Sequence, residues 1–239
     1  MQWGKNLGTR RRRIIAISAA ALMVVGAGGF VGHRALAAHR ATEAGCERVT
    51  AWKQQTSPYQ VVSPGDETIA ILGDSYSAGD DLADRSDGWV HTLAHDTGAR
   101  VLVNSVGYTG YTAGGYCGND QFSTRIDQLA NAGPNTLIIQ GGLNDVGADP
   151  DEIEAAATDL LRDTADIPNV VLVGPPHAPQ RSSGEQAVDR TLSAVARQAD
   201  VTYVSAYAWD LEFNEQGLHL TEAGHRQFAH HVEDALAYG

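Results

Sequence analysis

Five short apolar runs, largely β-branched, constrain this chain more than any other feature. They cover residues 67–73, Arg100–Val106, Asn135–Gln140, Asn169–Gly174 and Val201–Ser205. Each is almost continuously apolar, the pattern of a parallel strand covered on both faces. Helical stretches lie between them, near 86–97, 120–131, 150–164 and 184–198. In the third, Leu160 and Leu161 with Ala155, Ala156 and Ala157 form an apolar stripe. A last helix is expected after Leu220, with Thr221 as its N-cap and Glu222 in its first turn. The alternation predicts a three-layer α/β/α sandwich around a five-stranded parallel sheet.

In such a sheet, ligands gather at the carboxyl ends of the strands. The segments that follow the runs are Gly73-Asp74-Ser75, Gly107, Gly141-Gly142-Leu143-Asn144-Asp145 and Gly174-Pro175-Pro176. After the fifth comes Asn214-Glu215-Gln216-Gly217-Leu218-His219. Glycines at such turns permit close backbone approach to a ligand. A serine hydroxyl needs a base to become a nucleophile, and attack on a carbonyl needs donors for the oxyanion. Ser75 is the candidate nucleophile and His219 the candidate base. The N–H groups of Ser75 and Gly107 and the side-chain amide of Asn144 are candidate oxyanion donors.

These segments resemble the four blocks of the SGNH hydrolases, also called the GDSL esterase/lipase family. The first is Gly73-Asp74-Ser75 and the second is Gly107 in Asn104-Ser105-Val106-Gly107. Gly142-Leu143-Asn144-Asp145 matches the third block, Gly-x-Asn-Asp, the most specific of those that match. Gln216-Gly217-Leu218-His219 stands where the family has Asp-x-x-His. The order and spacing fit from about residue 67 to residue 239. The resemblance implies a flavodoxin-like sheet and hydrolysis of carboxylic esters through an acyl-enzyme, with no metal or organic cofactor. Small acyl groups on sugars, lipids or envelope components are the expected substrates.

Gln216 departs from the family, because glutamine can orient an imidazole but cannot place a negative charge beside it. Glu215 can swing in as the acid. Gln216 itself or a backbone carbonyl can orient His219 in a Ser–His dyad. The third outcome is an enzyme that is slow or dead. Two rival functions follow: acyl transfer to an alcohol by the same residues, and a catalytically silent module that binds carbohydrate or envelope.

Other residues have plainer readings. Asp74 and Asp145 are expected to hold local backbone. His225, His230 and His231 fall on the last helix as packing or solvated groups. Tyr108, Tyr111 and Tyr116 either line an acyl or sugar site or cover core, and Trp89 and Trp209 read as core or rim.

The chain divides into residues 1–38, a tether over 39–66, and the domain over 67–239. Arg10 to Arg13 precede an uncharged stretch, Ile14–Gly32, whose 19 residues approach the length of a membrane-spanning helix. Positive residues stay cytoplasmic, which would place the domain outside on a single-pass anchor. Ala35-Leu36-Ala37 offers the alternative of a cleaved signal peptide and a secreted protein.

The whole chain has 17 Lys and Arg against 29 Asp and Glu. Six of the basic residues and none of the acids precede Ala38, which leaves 11 against 29 and a net charge of −18 for the rest. Such a surface repels nucleic acid, so no nucleic-acid partner is expected. Cys46 and Cys117 are expected to pair in an exported domain, the alternative being two unrelated thiols. They are neither close together nor spaced with histidines as zinc ligands are.

Overall fold

The computed structural model describes residues 36–181 and 183–238. A six-stranded sheet has the order β1-β3-β2-β4-β5-β6. Its strands are β1 (Gln60–Ser63), β2 (Thr68–Gly73), β3 (Arg100–Ser105), β4 (Thr136–Gln140), β5 (Asn169–Val173) and β6 (Thr202–Val204). From β3 to β6 all pairings are parallel. These five strands are the five predicted runs, in the flavodoxin-like order. Around them run α1 (36–56), α2 (Ser75–Ala78), α3 (Trp89–Thr97), α4 (Ile126–Ala130), α5 (Pro150–Arg162), α6 (Glu185–Gln198) and α7 (Glu222–Tyr238).

Successive side chains of a strand point to opposite faces, and this alternation splits the core in two. Ile69, Ile71, Val101, Val103, Ile138, Val171 and Val173 share one face with Trp89 and Leu93 of α3 and Phe228 of α7. Ala70, Leu72, Leu102, Leu137, Ile139 and Leu172 share the other with α4, α5 and α6. Each fully buried Leu or Ile contributes roughly 1.5–3 kcal/mol. Helix α5 has the expected amphipathic form. Asp149 caps it, Pro150 opens it, and Ile153, Ala157, Leu160 and Leu161 are buried at helical spacing. Thr221 caps α7 as predicted, its Oγ1 accepting from the Gly224 N–H at 3.1 Å.

The expected tether is a correction. The compact unit that carries the sheet begins at Cys46. Residues up to 56 are helical, and Gln60–Ser63 add an antiparallel sixth strand beside β3. Cys46, Val49, Trp52, Lys53 and Thr56 are partly buried along one side of α1. That side is chemically mixed and gives no apolar periodicity. Specific bonds hold it instead: a disulfide from Cys46 to Cys117, an ion pair from Lys53 to Asp120, and a 3.1 Å bond from Trp52 Nε1 to Ser105 O. The stretch Ile14–Gly32 lies outside the described residues. Among the described residues no helix is long and apolar enough to cross a membrane.

Candidate active site

The central strand β2 ends at Gly73, and the chain turns at once into α2. A Cβ on Gly73 would lie 2.4 Å from Ser77 Cβ, so only glycine allows so tight a turn. Asp74 caps the helix, its Oδ1 accepting from the Tyr76 N–H at 3.0 Å. Asp74 is fully buried with Oδ2 unpartnered, and burial pushes its carboxyl up to about 7. This acid holds backbone, as expected. Ser75 follows in the first turn of α2, where helical N–H groups have no intrahelical acceptor. Ser77 Oγ donates to Gln140 Oε1 at 2.6 Å and ties the helix to β4.

Gly107 follows β3. A Cβ there would stand 3.7 Å from Ser75 Cβ and collide with the Asp80 carboxylate. Among the described residues its N–H meets no acceptor. The third block fixes the loop that carries it. Asp145 Oδ1 accepts from the N–H and Oγ1 of Thr112 and the N–H of Ala113, and Oδ2 accepts from the Tyr111 N–H. Asn144 Nδ2 donates to Thr109 O at 3.0 Å, which leaves its second amide hydrogen for a ligand.

Arg125, which sequence reasoning missed, braces these strand ends from below. Its guanidinium donates to Gly73 O, Asn104 O, Asp120 O and Thr109 Oγ1. Burial pulls its pKa down to about 10. A cation satisfied by three backbone carbonyls and two side-chain oxygens, those of Asn104 and Thr109, has no short-range sequence signature.

His219 lies buried before α7. Its loop is anchored to α2, because Tyr76 Oη donates to Leu218 O. The Tyr76 and His219 rings are 6.0 Å apart, centre to centre. His219 Nδ1 meets Asp81 Oδ2 at 2.6 Å. A carboxylate accepts, so Nδ1 carries the proton and Nε2 is left as the base in neutral imidazole.

Asp81 is the second residue that sequence reasoning missed. It stands in the turn after α2 with φ of 70°, a left-handed conformation that Asp tolerates better than most residues. Glu215 and Gln216 are exposed and make no hydrogen bond to His219. The expectation that one of them orients the imidazole is therefore corrected. The acid comes from the turn that follows Ser75, because the 214–219 loop bends back on itself and points those two side chains to solvent. Two adjacent acids so soon after Ser75 were the available sign.

The remaining candidates divide. Tyr111 is buried against Phe122, whereas Tyr108 is exposed and packs on Tyr116 with ring centres 4.6 Å apart. Trp89 is core. Trp209 packs on Phe228 and stacks on His231. His225 is buried and accepts from the Trp89 N–H at 3.3 Å, and burial lowers its pKa to about 4.

A family model described as the GDSL-like Lipase/Acylhydrolase family matches residues 71–227. No curated protein matches the chain. Among solved structures, TesA is 25% identical over 71% of this chain and 98% of its own, with a TM-score of 0.60. An aryl esterase of M. smegmatis is 21% identical over 72% of this chain and 99% of its own, with a TM-score of 0.60. A carbohydrate acetylesterase from Sinorhizobium meliloti is 18% identical over 72% and 99%, with a TM-score of 0.61. The last two likenesses are of fold, the same layered sheet. With the family match spanning β2 to α7, the chain belongs to the GDSL-like lipase/acylhydrolase family and is a carboxylic ester hydrolase of that type.

Proposed function

We propose that the protein is a serine esterase working through an acyl-enzyme, with Ser75, His219 and Asp81 as its triad. The observation that carries this reading is the 2.6 Å contact of His219 Nδ1 with Asp81 Oδ2, an acid in the turn that follows the helix of Ser75. Ser75 Oγ attacks the ester carbonyl and passes its proton to His219 Nε2. Asp81 holds the ring and stabilises the imidazolium. The N–H groups of Ser75 and Gly107 and the Asn144 amide receive the oxyanion. His219 then protonates the leaving alcohol. Water, activated by the same imidazole, releases the acid.

Short acyl groups on sugars or other envelope components are the proposed substrates. The Cys46–Cys117 bridge supports an oxidising, outward-facing location, anchored or released through the leader. A silent binding module loses its main support, because a carboxylate does meet His219. The test is fluorophosphonate labelling of the protein, followed by an ester series of graded chain length. Labelling at Ser75 and a preference for short acyl groups are expected. An unlabelled Ser75 with undiminished hydrolysis would overturn the assignment. Acylated alcohol formed ahead of free acid would mark a transferase.

A further inference from the structure

One carboxylate beside the serine has no part in that mechanism. Asp80 precedes Asp81 in the same turn, its N–H donating to Ser75 O at 3.0 Å. A Cβ built on Gly107 would lie 2.4 Å from Asp80 Oδ2. The charge therefore rests against Gly107 Cα, on the side where Ser75 stands. It is held there by a chain of contacts. Asp80 Oδ1 accepts from Arg85 Nη2 at 2.7 Å, and Arg85 Nη1 donates to Ala78 O at 2.8 Å. The guanidinium lies over the Trp52 ring, 4.4 Å from its centre, and Trp52 is tied to Ser105 O at the end of β3. Helix α1 thus braces an acid against an oxyanion donor.

A negative charge at that point opposes the oxyanion rather than assisting it, so its construction calls for another account. Arg85 offsets part of the charge from behind. What remains acts on any charged group that a substrate brings to the carbonyl.

We propose that Asp80 is a specificity-determining residue that disfavours esters bearing an anionic group near the scissile carbonyl and restricts the site to neutral substrates. This rests on the reading of Ser75 and Gly107 as the ester site. Like charges about 7 Å apart, across the effective dielectric range of about 20 to 80, should separate the rates by about 3- to 50-fold.

Two substrate pairs of near-equal shape test it. One is p-nitrophenyl butyrate against p-nitrophenyl hemisuccinate. The other is methyl 4-acetoxybenzoate against 4-acetoxybenzoate. The readout is the neutral-to-anionic ratio of kcat/KM, measured at low ionic strength. Wild type should favour the neutral ester. Asp80→Asn, nearly isosteric, should lower the ratio by about 3- to 50-fold in at least one pair. Arg85→Gln should raise it, and added salt should shrink the wild-type ratio. A merely structural Asp80 would change both rates together and leave the ratio alone. An unchanged ratio in both pairs, in an active Asp80→Asn enzyme, would overturn the proposal while the esterase reading stands. A wild type inert on both neutral esters, with Ser75 unlabelled by fluorophosphonate, would overturn the esterase reading and this proposal with it.

Discussion

Two turns meet at the contact of His219 with Asp81, and they differ in what they contribute. The loop from Asn214 to His219 closes on itself: the Asn214 N–H donates to His219 O, and the Gly217 N–H donates to Asn214 O. It presents an imidazole, and its one acid, Glu215, is exposed to solvent. The turn after α2 presents two acids and no base. The partners are separated by 138 positions in sequence and by 2.6 Å in space. A loop that carries both acid and base, as the family pattern has it, is one way to orient a histidine. Drawing the acid from the turn that follows Ser75 is another. The imidazole responds to a carboxylate at Nδ1, whichever segment supplies it, because a triad is defined by geometry and roles. A departure at one position of a block is therefore no measure of lost chemistry until the neighbourhood of the base is known.

The contrast can be broken most severely at the group both turns serve. Ser75→Ala should lower kcat on p-nitrophenyl acetate by about 10⁴- to 10⁶-fold, and undiminished turnover would refute the nucleophile. Asp81→Asn should follow, with a loss of about 10²- to 10⁴-fold in kcat. The lower end is favoured because the Asp81 side chain is 48% exposed and water can partly replace it. Full activity in this variant would return the role of acid to the His219 loop. Asn144→Ala tests the oxyanion side, where a loss of about 10²- to 10³-fold in kcat is expected. A loss under about tenfold would count against that role.

A second histidine sharpens the comparison. Among the described residues His225 has no carboxylate partner, and it accepts from the Trp89 N–H, so it is neutral in the fold. Burial depresses its pKa from 6.5 to about 4. A depressed base contributes stability above the unfolded value, and that stability is lost as pH falls through this window. Folding stability should drop by about 1 kcal/mol per pH unit between about pH 6.5 and pH 4. Denaturant melts of wild type and His225→Gln would measure it, and equal pH slopes in the two would dismiss it. The smallest effects belong to the exposed loop residues. Glu215→Ala and Gln216→Asp should each change kcat by less than about twofold. A collapse in the first, or a large gain in the second, would mean that the loop and not the turn controls His219.

Local physics made much of this molecule legible. An apolar run that ends at a glycine and turns into a helix is a short-range event. For that reason β2 to β6, the helices between them, and the positions of Ser75, Gly107 and Asn144 at strand ends were open to reading along the chain. Tertiary structure alone decided the rest. Helix α1 packs through cysteine, tryptophan and lysine, each bonded to a distant residue, so no periodic apolar face announced it. Arg125 is buried because strand ends expose carbonyl oxygens toward it, a circumstance that exists only once the sheet has formed. Asp81 becomes the partner of His219 because folding superposes two turns, and nothing within either turn specifies the other. Periodicity and turn chemistry are properties of neighbours along the chain, whereas the pairing of an acid with a base is a property of neighbours in space.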